Sequence, residues 1–210
     1  MLPQMLATRQ SIYSHFPTIA YNVVGIAASS GGIQATIKLI SALPSDFPAA
    51  IVVVQHLSDN YPSYLAEIYQ RYTSLRVEQA APSKLLRPGT IYTPVPGKHL
   101  LVKLDGSFLL SDQPKVNFVR PAADKLFRSL ALSYKTRALA VVLTGRGEDG
   151  TLGSVTIKKY GGTVIAQDQA TSECFNMPKA AIETGKVDWL LPLDAIAATL
   201  VNLTMTEKVA

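Results

Sequence analysis

Three short, unbroken apolar runs constrain this chain more than any other feature. They are Val23-Val-Gly-Ile-Ala-Ala28, Ala49-Ala-Ile-Val-Val-Val54 and Ala138-Leu-Ala-Val-Val-Leu143. Runs of this length, rich in β-branched residues and lacking polar alternation, suit strands covered on both faces, as in parallel sheets. Helical patterns fall between them, over residues 33–43, 61–72 and 121–134. Strand, helix, strand, helix predicts a doubly wound α/β fold with a mostly parallel sheet, flanking helices and right-handed crossovers. Beyond the third run the rhythm continues with a helix to Tyr160, a strand over 163–166 and helices near 178–184 and 193–203.

The middle of the chain differs. Residues 76–110 are broken by Pro82, Pro88, Pro94 and Pro96, and residues 100–110 read as a hairpin turning at Asp105-Gly106. We read this part as an antiparallel extension of the sheet within the same domain. Residues 1–20 show no period and read as a tail or linker remnant, so the organised domain is expected over 21–210.

With 210 residues, 48% of them hydrophobic and 17% charged, the chain can bury one sizeable core. No apolar run approaches the ~18 residues of a membrane span, and the first twenty residues lack the pattern of a secretory signal. The single cysteine, Cys174, excludes an internal disulfide and a Cys-rich zinc site. A reducing, cytoplasmic location is expected. The net charge of +5 is scattered, with Lys158-Lys159 the longest cationic run, so no nucleic-acid patch is predicted.

Each strong strand ends in polar residues. The first delivers Ser29 and Ser30 before Gly31-Gly32, the second Gln55 and His56, and the third Glu148 and Asp149 through a glycine-rich turn. In an open parallel sheet these ends share one rim, where ligands bind. Serine, imidazole and carboxylate are the parts of an activated nucleophile, defined by geometry and not by order along the chain. Of the three histidines, His15 lies in the irregular tail and His99 begins a β-piece, which leaves His56 best placed. Asp149 has the shorter side chain usual for the orienting carboxylate, with Glu148 its rival. The pair Ser29-Ser30 stays unresolved on spacing alone, and both could serve only as helix caps.

A phosphate cradle is the other use for a glycine pair at a helix entrance. The spacing Gly25-x5-Gly31-Gly32 fits neither a dinucleotide fingerprint nor a P-loop, and the acidic residue expected ~20 positions on is missing.

Six ordered motifs together resemble the catalytic domain of the CheB family, the chemotaxis protein-glutamate methylesterases. They are Gly25-Ile-Ala-Ala-Ser-Ser-Gly-Gly32, Val53-Val-Gln-His56, Pro94-Val-Pro-Gly-Lys-His99, Val116-Asn-Phe-Val-Arg-Pro121 with Asp124, Leu143-Thr-Gly-Arg-Gly-Glu-Asp-Gly150 and Ile165-Ala-Gln-Asp168. The resemblance implies Ser29 as nucleophile, His56 as base and Asp149 as orienter. It implies support from Ser30, Gly31, Arg120 and Arg146, with no cofactor and no metal. The implied substrate is a γ-methyl glutamyl ester, or a glutamine to be deamidated, on the cytoplasmic helices of a chemoreceptor, without membrane insertion. The different-class alternative is a non-catalytic receptor-binding or scaffold module of the same fold.

Two departures stand out. Arg146 and Glu148 occupy positions where the family often carries Met and Asn or Ser. The family's catalytic domain usually follows a phosphorylatable receiver domain, which the first twenty residues are too few to hold. A free-standing catalytic domain, a piece of a longer regulator, or a member under a separate regulatory domain is therefore expected.

Overall fold

The computed structural model describes residues 23–57 and 62–205; the tail expected over 1–20 lies outside them. The chain runs β1 (Val23–Ala28), α1 (Gly32–Ser41), β2 (Ala50–Gln55), α2 (Leu65–Gln70), β3 (Arg76–Gln79) and β4 (Thr90–Thr93). It continues through the hairpin β5 (His99–Val102) and β6 (Phe108–Ser111) to α3 (Ala123–Tyr134) and β7 (Ala138–Val142). Then follow α4 (Thr151–Lys159), β8 (Thr163–Gln167), α5 (Asn176–Glu183), β9 (Trp189–Leu191) and α6 (Leu193–Met205).

The order in the main sheet is β3-β4-β2-β1-β7-β8-β9, and every neighbouring pair is parallel. The three apolar runs, β1, β2 and β7, are its adjacent central strands, buried along their whole length. With apolar side chains on both faces, they need a layer on each side. Val24, Ile26 and Ala28 pack with Leu39, Tyr69 and Ile196 of α1, α2 and α6. Val23 and Ala27 face Phe127, Ile157 and Met177 of α3, α4 and α5. The result is the doubly wound architecture expected from the sequence. Among the described residues, no helix is long and apolar enough to cross a membrane.

The proline-broken middle corrects one expectation. Its first strands, β3 and β4, join the main sheet in parallel, with residues 80–89 carrying the chain back between them. The hairpin is antiparallel, with His99 opposite Ser111, but it forms a separate two-stranded sheet. Leu100, Val102 and Phe108 are buried against α3, while Leu109 is exposed. One apolar face suits packing on a helix and cannot serve an interior strand.

Helix ends also differ from the pattern. α2 stops at Gln70, whose amide side chain bonds Leu75 O (3.0 Å) and receives Val77 N–H (2.9 Å), turning the chain into β3. α3 begins at Ala123 because Ala122 is extended and its N–H is engaged by His99 Nδ1 at 3.2 Å. The short edge strand β9, with Trp189 and Leu190 half exposed, carries no periodic signal in the sequence.

Candidate active site

Pairing of the central strands fixes the rim. His56 N–H donates to Ala28 O (3.1 Å), Leu143 N–H to Ala27 O (2.9 Å) and Ser29 N–H to Thr144 O (3.0 Å). Residues 29, 56 and 144 therefore leave the sheet side by side.

Gly31 shapes the turn after β1. Its φ of 74° lies in the left-handed region, open to glycine at little cost, and it places Gly31 as the cap residue of α1. Gly32 N–H returns to Ser29 O (2.8 Å), and Gln55 Nε2 donates to the same carbonyl (2.9 Å) and to His56 O (3.2 Å). One buried glutamine thus holds the backbones of both the serine and the histidine. Thr144 Oγ1 donates to Ser30 O (3.0 Å) and accepts from Cys174 N–H (2.8 Å), tying the turn to the loop ahead of α5. Gly145 closes the packing: a Cβ there would lie 2.2 Å from Met177 Sδ and 2.8 Å from Ser29 Cβ.

His56 Nε2 lies 2.8 Å from Asp149 Oδ2. The Asp149 side chain is 2% exposed and accepts two further bonds, from Ala123 N–H (2.6 Å) and Asp124 N–H (3.0 Å). These are first-turn amides of α3, whose unpaired N–H groups and dipole favour an anion. Facing a buried carboxylate oxygen, Nε2 is the donor, which leaves the Nδ1 lone pair free to take a proton. The Ser29 hydroxyl makes no hydrogen bond to His56 among the described residues. Such contacts are commonly long in unliganded enzymes and tighten with substrate.

Asp124 reciprocates at the other helix. Its Oδ1 accepts from Gly150 N–H (3.0 Å) and Gly153 N–H (2.7 Å) at the start of α4, next to Asp149. Each helix thus offers its first amides to a carboxylate carried on, or just ahead of, the other. Burial, with the Asp149 charge adding to it, pushes the Asp124 carboxyl up to about 6, and Oδ2 is buried without a partner.

A cavity of about 460 Å³ opens beside this pair, lined by His56, Asp149, Phe118, Arg146, Glu148 and Lys179 among others. Arg146 and Glu148 are exposed on its wall. Arg120 is not among the lining residues; its Nη1 donates to Asp112 O (3.0 Å) and Gln113 O (3.2 Å), bracing the loop before residue 116. Ser30 contributes a carbonyl to the Thr144 clamp. His99 is wholly buried and bridges Pro114 O and Ala122 N–H, far from any solvent-facing role.

Gln55, Asp124, Thr144 and Gln167 (whose Oε1 receives Thr144 N–H at 2.8 Å) have no assigned role from sequence reasoning. Their one signal in the sequence is their presence inside the six motifs.

The sequence profile of CheB methylesterase matches residues 24–200. The chain belongs to the CheB methylesterase family. It is 39% identical over 190 residues to the protein-glutamate methylesterase/protein-glutamine glutaminase of Thermotoga maritima, covering 89% of this chain and 55% of that protein. It is 40% identical over 186 residues to the protein-glutamate methylesterase FrzG of Myxococcus xanthus, covering 89% and 56%. The crystal structure of the Thermotoga maritima CheB methylesterase catalytic domain superposes with a TM-score of 0.84 at 40% identity, covering 87% of this chain and 98% of that one. The chain spans about half the length of the curated relatives it matches. The CheB fold thus accounts for the sheet, its flanking helices and the separate hairpin alike.

Proposed function

We propose that this protein is a protein-glutamate methylesterase acting on γ-methyl glutamyl esters of chemoreceptor cytoplasmic helices, through Ser29, His56 and Asp149. The observation that carries the reading is the 2.8 Å contact between His56 Nε2 and buried Asp149, with His56 just past the end of β2, the strand paired to the one that leads into Ser29. Relatives named for glutamate methylesterase and glutaminase activity support the substrate class.

The reaction follows from these groups. Nδ1 of His56 takes the Ser29 proton as Oγ attacks the ester carbonyl, and Asp149 stabilises the resulting imidazolium. Charge moves to the former carbonyl oxygen, where backbone N–H groups of Ser30 and Gly31 at the mouth of α1 are the available donors. Collapse breaks the bond to the methoxy group, which leaves as methanol with the proton from His56. A water, deprotonated by the same imidazole, attacks the acyl-serine, and glutamate and Ser29 are released. With a glutamine substrate the leaving group is ammonia. Arg146 positions the substrate at the cavity wall. The enzyme works in the cytoplasm, and a regulatory or receiver domain controls access to it.

The test is methanol release from a methyl-esterified chemoreceptor cytoplasmic fragment by wild type and Ser29→Ala, together with labelling by a fluorophosphonate. Loss of both in the variant is expected. Undiminished release by Ser29→Ala overturns the nucleophile, and no release by wild type without labelling favours the non-catalytic module.

A further inference from the structure

Phe118 is 96% exposed, the most exposed of the large apolar side chains among the described residues. It sits at the tip of a two-residue turn, closed by reciprocal backbone bonds between Val116 and Val119 at 3.1 and 3.0 Å. Both central residues have positive φ, 48° at Asn117 and 65° at Phe118. Turns of this hand ordinarily carry glycine at the second position, and a bulky residue there is an outlier. Folding thus favours a glycine at 118 on two counts, backbone conformation and the exposure of an unpacked ring. Strain of this kind that persists points to a role outside folding.

The location says which role. Phe118 lines the same cavity as His56 and Asp149, with Arg146 and Glu148 on one wall and Lys179 and Glu183 of α5 on another. Lys179 and Glu183 pair at 3.7 Å, so the cavity walls carry both signs of charge. A charge pattern this balanced supplies little net selectivity. The cavity is of the size that takes a whole ligand, about 300–1,000 Å³, and a methyl ester fills a small part of it.

Resting on the esterase reading above, we propose that Phe118 is a docking residue for the protein substrate. It engages an apolar side chain that lies one helical turn from the ester-bearing glutamate. Residues three and four apart on a helix are surface neighbours, so a substrate helix whose ester lies at the His56 side of the cavity presents that neighbour to its rim. The ring makes no contact with the reacting atoms; it selects which glutamates are presented.

The experiment compares wild type and Phe118→Gly, which removes the ring and suits the turn. Substrates are a helical peptide with one γ-methyl glutamate flanked at i+3 and i+4 by leucine, its alanine-flanked twin, and p-nitrophenyl acetate. Wild type is expected to prefer the leucine peptide by about tenfold in kcat/KM, chiefly through KM. Phe118→Gly abolishes that preference, read as the ratio of the two peptides' kcat/KM within the variant with p-nitrophenyl acetate turnover as the measure of its intact fold, and Phe118→Leu restores part of it. Equal kcat/KM for both peptides with wild type, or a preference that survives in Phe118→Gly, overturns the docking role alone. A wild type that releases no methanol from either peptide or from a methylated receptor fragment overturns the esterase reading and the docking role with it.

Discussion

The imidazole of His56 meets the carboxylate of Asp149 through Nε2 at 2.8 Å, while the same carboxylate receives two first-turn amides of α3. The carboxylate therefore holds three N–H donors, two of them from a helix that sets its position. Asp149→Asn puts an amide NH2 against one of these donors in either orientation. The expected cost is about 1–3 kcal/mol of stability for the unsatisfied group. On the proposed mechanism the expected loss of kcat is on the order of 10³–10⁴, the scale seen when a Ser-His-Asp enzyme is deprived of this carboxylate. Methanol-release kinetics and thermal melts measure the two effects separately.

Gly145 has no room for a side chain. The Cβ of an alanine there would meet Met177 Sδ at 2.2 Å and Ser29 Cβ at 2.8 Å, so one or both must be displaced. Met177 can bend, but the serine Cβ is fixed by its backbone. Gly145→Ala is expected to destabilise by about 1–3 kcal/mol, typical of overpacking. Displacement of Ser29, the proposed nucleophile, should cost kcat on the order of 10². A variant retaining full activity with an unchanged melting temperature contradicts the packing described.

Gln55 donates to the carbonyls of both Ser29 and His56. Gln55→Leu keeps the volume and removes both bonds, leaving two carbonyls less satisfied. A loss of about 1–3 kcal/mol is expected, a fall of several degrees for a domain of this size. The kinetic signature is a lower kcat at little-changed KM, because the residue orders the reacting groups without touching substrate. A rise confined to KM argues instead for a substrate contact.

Asp124 makes stability depend on pH in an unusual direction. Its folded carboxyl titrates at about 6, above the ordinary value of 3.8. A raised carboxyl means the folded state binds the proton more tightly than the unfolded chain. Its contribution is therefore most favourable at low pH and is lost as pH rises from about 4 to about 6, with up to about 3 kcal/mol at stake. Asp124→Asn removes this titration and keeps an acceptor for Gly150 and Gly153. The difference in unfolding free energy between wild type and variant, followed by urea melts from pH 4 to 7, should shift toward the variant across that window. A flat difference refutes the assignment.

The parts legible in the sequence are those where local chemistry and global fold agree. Short, unbroken, β-branched apolar runs suit interior strands, and the polar residues beyond their ends gather on one rim, which is why Ser29, His56 and Asp149 stand out. What escapes is what depends on partners distant in sequence. Nothing local marks Gln55 as a clamp, since its role comes from carbonyls on two strands. Asp124 reads as an ordinary first-turn acidic residue until α4 is packed against α3. The parallel pairing of β3 with β4 is obscured because the connection between them contains no helix, the usual sign of a crossover. The edge strand β9, held by register with β8 alone, needs no pattern of its own.

The direction of β1 also sets terms for control from outside. Its first residue, Val23, lies at the end of the sheet away from Ser29, six strand residues or about 20 Å off. Val23 therefore marks the floor of the molecule, while residues 29 and 56 stand at its roof. An upstream module that occludes the cavity must reach around a flank, over α1 on one side or α3 on the other. The length and stiffness of the connecting peptide then become tunable quantities, deciding how often such a module covers the cavity and how readily it lifts away.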